Sequence, residues 1–220
     1  MFIRRLPLAA TINHHSRRLF QTSELTNGMR VVTVKSPSEF DAAGIAIKYS
    51  QLPSSLKHLA LPFNKTVFQG NESLKEDDLL KRLDAIIGSS HDRVFREHLL
   101  LGGAVSPNNV PDLLKLLNDL LRSAPNQMSR QDFASAVEYD FYEQKIKQPE
   151  RLMQEIAITA ALPHLGTSTI HHLLQCRKSE QQEGTIDLQG FWKAALAPTN
   201  ISIIGLSSWT NHNDFVAMAN

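Results

Sequence analysis

The strongest pattern in the sequence is an apolar stripe that repeats every three or four residues around Pro111. Its members are Val110, Leu113, Leu114, Leu117, Leu120 and Leu121. This spacing places them on one face of an α-helix that begins near the proline. An amphipathic helix in water gains most of its stability by packing that face against another layer. The rest of the chain must therefore supply a layer to cover it.

Strand patterns supply that layer. Residues 23–25 and 29–34 flank Asn27-Gly28, and Asn-Gly favours the two positive-φ positions of a tight primed hairpin turn. Residues 42–49 alternate in hydrophobicity, with one face formed by Ala43, Ile45, Ile47 and Tyr49. Residues 96–105 predict a further strand with a bulge or bend at Gly102-Gly103, and residues 200–206 predict a last one.

Further helices are predicted from caps and proline positions. Ser73 and Glu76 have the spacing of a capping box, followed by an apolar stripe that ends at Gly88. The stripe consists of Leu79, Leu80, Leu83, Ile86 and Ile87. Ser129 caps a helix that runs to about residue 147, and separate helices follow at 150–161, 187–196 and from 211 onward.

Strands and helices are therefore interleaved without regular βαβ alternation. This order predicts an α+β fold, with one mixed or antiparallel sheet and helices packed on one side. The 220 residues include 42% hydrophobic residues, which is enough for a core. A net charge of +1 argues against a dedicated nucleic-acid binder. Cys176 is the only cysteine, which excludes an internal disulfide.

The first 22 residues are typical of a mitochondrial presequence. They contain no acidic residue and four arginines, namely Arg4, Arg5, Arg17 and Arg18. Residues 18–23 are similar to the Arg-x-Phe-x-x-Ser cleavage signature of matrix-targeted precursors, so cleavage is expected near Arg18, Leu19 and Phe20. A disordered basic tail is the alternative interpretation.

Several blocks carry a resemblance to one family. They are Leu-Thr-Asn-Gly-Met-Arg-Val-Val at 25–32, the segment 58–68, Leu-Asp-Ala-Ile-Ile-Gly at 83–88 before Arg96-Glu97, Gln-Pro-Glu at 148–150, and Asn-Ile-Ser-Ile-Ile-Gly-Leu at 200–206. In order and spacing they resemble the mitochondrial processing peptidase and cytochrome bc1 core-protein family, which is related to pitrilysin-type peptidases. Within it, the core-protein-2 branch resembles the chain most.

The resemblance implies a peptidase-like N-terminal domain at 23–220, after a presequence at 1–22. Family members carry two similar halves, and this chain resembles the first. It is then a fragment, an alternative product or a half-length paralogue. Residues 49–55 also differ from the family's usual loop before its zinc helix, and they form a shorter one.

The family's inverted His-x-x-Glu-His helix holds zinc and activates water. Here the aligned residues place His58 first, Leu61 in the glutamate position and Pro62 in the second histidine position. The resemblance therefore implies no catalytic residue, no metal and no other cofactor. Acidic residues stand where a third zinc ligand would be, and we interpret them as a solvated helix face: Glu138, Asp140 and Glu143.

By resemblance, the chain is a non-catalytic core-protein subunit of ubiquinol–cytochrome c reductase on the matrix side of the mitochondrial inner membrane. Its expected partners are core protein 1 and other complex III subunits, with membrane association only through them. Two alternatives stay open. One is the zinc-free, substrate-recognising α-type subunit of the processing peptidase, and the other is an active zinc peptidase.

Overall fold

The computed structural model describes residues 20–37, 39–57, 59–71, 73–95, 97–125, 127–141, 149–161, 185–207 and 210–219. Its strands are β1 (Phe20–Glu24), β2 (Arg30–Lys35), β3 (Asp41–Lys48), β4 (Ile87–Val94), β5 (His98–Val105), β6 (Met128–Ser129), β7 (Thr185–Ile186) and β8 (Ile201–Ser207). Its helices are α1 (Ser54–Lys57), α2 (Ala60–Val67), α3 (Glu76–Ile86), α4 (Val110–Arg122), α5 (Arg130–Phe141), α6 (Pro149–Ala161), α7 (Gln189–Ala195) and α8 (His212–Ala219). No helix in these ranges is long and apolar enough to cross a membrane.

The main sheet is mixed and has six strands in the order β1-β2-β8-β3-β5-β4. Its neighbours are antiparallel except β2 and β8, which run parallel. The last strand of the chain, β8, therefore lies between β2 and β3 near the middle of the sheet. A second, two-stranded sheet pairs β6 with β7. The predicted α+β fold with a mixed sheet is confirmed.

The helices pack on one side of the main sheet, as predicted. In β3 the alternate residues Ala43, Ile45 and Ile47 are buried, and so is Tyr49 directly after the strand. Helix α4 crosses this face over β3 and β5, and α8 packs against β2. Every member of the α4 stripe is buried, so the layer that the stripe requires is the sheet itself.

The first hairpin differs from the predicted turn. Gly28 has a φ of 88°, but none of the other described residues except glycine has a positive φ, so Asn27 does not adopt the left-handed conformation. The Gly28 N–H instead donates to the Leu25 carbonyl at 2.9 Å, and the Asn27 Oδ1 accepts from the Met29 N–H at 3.0 Å. Only one left-handed position is therefore needed, and glycine supplies it.

The predicted bulge or bend at Gly102-Gly103 is wrong. Both glycines continue the β3–β5 register, with Gly102 opposite Gly44. A Cβ atom on Gly102 would lie 2.5 Å from the Ala43 carbonyl oxygen and 2.8 Å from the Gly44 Cα. Glycine is needed at positions 44 and 102 because the two strands approach closely there. The register shift in this part of the sheet lies in β4, between Ile87 and Ser89.

The capping box at Ser73 is also wrong. The Ser73 Oγ pairs with the Ser123 Oγ at 3.2 Å, and α3 begins only at Glu76. The predicted apolar stripe is covered unevenly, since Leu79 is fully buried and Leu80 is 48% exposed. Strand β4 was not predicted, and its residues are mostly exposed.

Later elements follow the prediction more closely. The Ser129 Oγ accepts from the Asp132 N–H at 3.0 Å, which confirms the cap of α5. Helices α6, α7 and α8 lie within or beside the predicted ranges. Residues 142–148, 162–184 and 220 lie outside the described residues, and the predictions made there stay predictions.

Candidate functional site

Helix α2 contains Leu61 and Pro62, which the sequence resemblance aligns with the zinc helix of the family. It begins at Ala60 after Leu59, so Pro62 falls in the first turn, where a missing N–H costs no intrahelical hydrogen bond. Leu61 is only 7% exposed, and Pro62 is buried as well. His58 lies outside the described residues.

The surroundings of α2 are largely aromatic. Phe63 packs against Phe191 of α7 with ring centroids 5.1 Å apart, and Tyr49 meets the same ring at 6.4 Å. All three rings are fully buried. The Tyr49 hydroxyl donates to the Phe95 carbonyl, which ties the end of β3 to the loop after β4. One side of α2 therefore lies in a dry, apolar core.

One polar link joins α2 to β4. The buried Asn64 donates its Nδ2–H to the Asp92 Oδ2 at 2.9 Å, whereas its Oδ1 has no partner among the described residues. The Thr66 hydroxyl bonds within the helix, to the Pro62 and Phe63 carbonyls. Sequence reasoning missed Asn64, although a polar residue between Phe63 and Val67 on a short helix could have indicated it.

Among the possible third ligands of the family site, the described residues include the side chain of Glu138 alone. Glu138 on α5 is exposed. The side chain of Asp140 and all of Glu143 lie outside the described residues. Within the described ranges, no group of three or more His, Cys, Asp and Glu side chains is close enough to hold a metal ion.

A second polar cluster bridges the edge of the sheet. The His212 Nε2 lies 2.7 Å from the Ser23 Oγ, and its Nδ1 lies 2.8 Å from the Thr33 Oγ1. A hydroxyl beside an imidazole resembles a nucleophile with its base, but the third member is a hydroxyl, where such sites usually have a carboxylate. We interpret the cluster as a tie between β1, β2 and the start of α8. Sequence reasoning missed it because Ser23 and His212 are 189 positions apart.

A third cluster lies where β3 begins and β8 ends. Asp41 is 1% exposed, and its Oδ2 accepts from the Ser207 hydroxyl at 2.6 Å and the Thr210 hydroxyl at 3.3 Å. The Ser207 Oγ in turn accepts from the Thr210 N–H at 2.7 Å. These bonds join the start of β3 to the end of β8.

Residues at the predicted cleavage site fall on both sides of the described boundary. Phe20 begins β1 and is 56% exposed. Arg18 and Leu19 lie outside the described residues. The cleavage itself stays a prediction, and the last residues of the predicted presequence, 20–22, belong to a strand.

Neither family models nor curated proteins match the chain, but solved structures do. The first half of the periplasmic protease PqqL from Escherichia coli matches with a TM-score of 0.65 and 11% identity, over 91% of this chain and 44% of that one. A Helicobacter pylori protease matches with a TM-score of 0.67 and 14% identity, over 91% and 48%. The longer PqqL structure matches with a TM-score of 0.66 and 12% identity, over 91% and 23%.

The chain has a pitrilysin-like (M16) fold. At these identities the likeness establishes the fold alone. The chain spans less than half the length of each of the three structures.

Proposed function

We propose that the chain is a non-catalytic, core-protein-2-like subunit of mitochondrial ubiquinol–cytochrome c reductase. It would support the assembly and stability of complex III on the matrix side of the inner membrane. It would bind there through core protein 1 and neighbouring subunits. The sequence resemblance and the presequence-like N-terminus support this location.

The observation that carries the proposal is the pair of residues at the start of α2. A pitrilysin-like peptidase needs two imidazoles for zinc and a carboxylate that activates water. Leu61 and Pro62 have no side-chain atom that can bind a metal or accept a proton, and both are buried in the first turn of α2. A fold of this kind without that chemistry is suited to a structural role.

The second candidate is the α-type subunit of the processing peptidase. It is favoured by the same pair of residues, because that subunit is expected to lack zinc itself and to present precursors to a catalytic partner. The two candidates differ in the complex that the chain joins.

Blue-native separation of mitochondria, with mass spectrometry of the band that holds this chain, distinguishes them. We expect co-migration with cytochrome b and core protein 1. Co-migration only with a zinc-bearing peptidase subunit would contradict the proposal. As a control for the location, a variant with Arg4, Arg5, Arg17 and Arg18 changed to Gln should no longer be imported, because the potential draws positive presequences inward.

A further inference from the structure

A carboxylate is buried at the point where β3 begins and β8 ends. Asp41 is 1% exposed. Its Oδ2 accepts hydrogen bonds from the Ser207 and Thr210 hydroxyls, whereas its Oδ1 has no hydrogen-bond partner among the described residues. We call these three side chains the Asp41 cluster. It brings carboxylate and hydroxyl oxygens from separate parts of the chain to one place.

The carboxylate of the Asp41 cluster has no protein counter-charge among the described residues, because none of their ion pairs includes it. Lys35 is a cation on the neighbouring strand β2, where it lies opposite Ser207 and is exposed. An ionised carboxylate in a protein interior is strongly unfavourable unless it is paired or bound to a metal ion. The missing positive charge must therefore come from Lys35 or from solution.

We propose that the Asp41 cluster binds a monovalent alkali-metal cation, which contacts the Asp41 Oδ1 and the Thr210 Oγ1. The Thr210 hydroxyl donates its hydrogen to the Asp41 Oδ2 at 3.3 Å, so the lone pairs of its oxygen point elsewhere and can bind a cation. Carboxylate, hydroxyl and water oxygens suit hard cations, whereas sulfur and imidazole suit transition metals. Thr210 is partly exposed, so the ion and its water ligands enter from that side.

The charge of the cluster favours a monovalent ion over a divalent one. One Na⁺ or K⁺ neutralises one carboxylate, whereas Ca²⁺ or Mg²⁺ would leave a positive charge in a buried place, which is costly. Mg²⁺ also gives up its water ligands reluctantly. The hydrogen bonds that described residues make within the cluster involve no second carboxylate that could balance a divalent ion.

The ion would strengthen a link between distant parts of the chain. The Thr210 N–H donates to the Ser207 Oγ at 2.7 Å, and the Ser207 hydroxyl donates to Asp41 at 2.6 Å. The cation would close this chain of bonds between the start of β3 and the residues just before α8. The cluster can bind an ion whether or not the chain belongs to complex III, so each proposal can fail alone.

Thermal unfolding of the full-length chain tests the site. Scans in about 0.2 M NaCl, KCl or choline chloride keep the ionic strength and the anion constant. A ligand that binds only the folded state stabilises it, so we expect a midpoint about 2 °C or more higher in NaCl or KCl than in choline chloride. The difference should saturate as the alkali cation replaces choline, and the two alkali salts identify the preferred ion.

Variants assign the difference to the cluster. Asp41→Asn keeps an oxygen that accepts from the Ser207 hydroxyl but removes the charge, and it should abolish the difference. Thr210→Val keeps the branched shape, and it should raise the cation concentration that gives half of the shift by about threefold or more. Asp84→Asn on α3, where the aspartate is exposed, is the matched control and should leave the difference unchanged.

Two results would overturn the inference. The first is equal midpoints of the natural chain in all three salts, a result that needs no variant to fold. The second is an alkali-metal effect of the same size in the natural chain, Asp41→Asn and Thr210→Val. Lys35→Met tests the other source of charge, and we expect it to leave the alkali-metal effect in place. If that variant lost the effect, Lys35 and not the Asp41 cluster would be responsible for it.

Discussion

At the scale of single residues, two buried oxygens have no hydrogen-bond partner among the described residues: Asp41 Oδ1 and Asn64 Oδ1. Each belongs to a side chain whose other polar atom is well bonded, and each joins elements far apart in the sequence. A buried polar atom without a partner costs roughly 1–3 kcal/mol. These side chains therefore hold α2 against β4 and β3 against β8, at some cost in stability.

Substitutions at Asn64 test this cost. Asn64→Leu removes the bond to Asp92 and the unpaired Oδ1 together, so we expect the free energy of unfolding to change by less than about 1 kcal/mol. Asn64→Asp places a buried carboxylate beside Asp92 and should lower the free energy of unfolding by about 2 kcal/mol or more. Urea denaturation at neutral pH measures both.

The matched control for the charge is Asn118→Asp on α4, where the asparagine is exposed. It should change the free energy of unfolding by less than about 0.5 kcal/mol. If Asn64→Asp were as mild as this control, Asn64 would not be buried beside a carboxylate.

At the scale of elements, sequence periodicity predicted the helix and the strand that bury one face in the core. It failed for structure that depends on which strands pair with each other. The α4 stripe and the alternation in β3 were predicted correctly because burial on one face imposes a period on the residues. The edge strand β4 was missed because its exposed residues, Ser89, Ser90, His91, Asp92 and Arg93, show no such period. Gly102 was read as a bend because nothing in the sequence shows that Gly44 lies opposite.

Gly102→Ala tests the close approach of β3 and β5. The added Cβ would lie 2.5 Å from the Ala43 carbonyl oxygen, so the strands must separate and stability should fall by about 1–3 kcal/mol. Gly190→Ala in α7 is the control, because its Cβ meets only the Leu56 Cδ2 at 3.7 Å. It should raise stability by roughly 0.5–1 kcal/mol, since alanine favours helices. Equal effects in thermal unfolding would contradict the close approach.

At the scale of the whole molecule, the order of motifs predicted the fold, and the solved structures bear it out at the level of a pitrilysin-like half-domain. The strand order could not be predicted, because the position of β8 between β2 and β3 depends on contacts across most of the chain. The clusters around His212 and Asp41 were missed for the same reason. The alignment of Leu61 and Pro62 with the glutamate and second histidine positions came from the sequence. The structure adds that both side chains are buried.

The central proposal is that this peptidase-like chain has no zinc chemistry, and metal content together with presequence cleavage tests it most directly. Purified full-length chain would be analysed by inductively coupled plasma mass spectrometry and incubated with a presequence peptide. Leu61→Glu with Pro62→His, which restores the inverted motif after His58, would be compared with it. We expect only trace zinc and no cleavage for the natural chain, whereas about one zinc ion per chain with cleavage of the peptide would contradict the account.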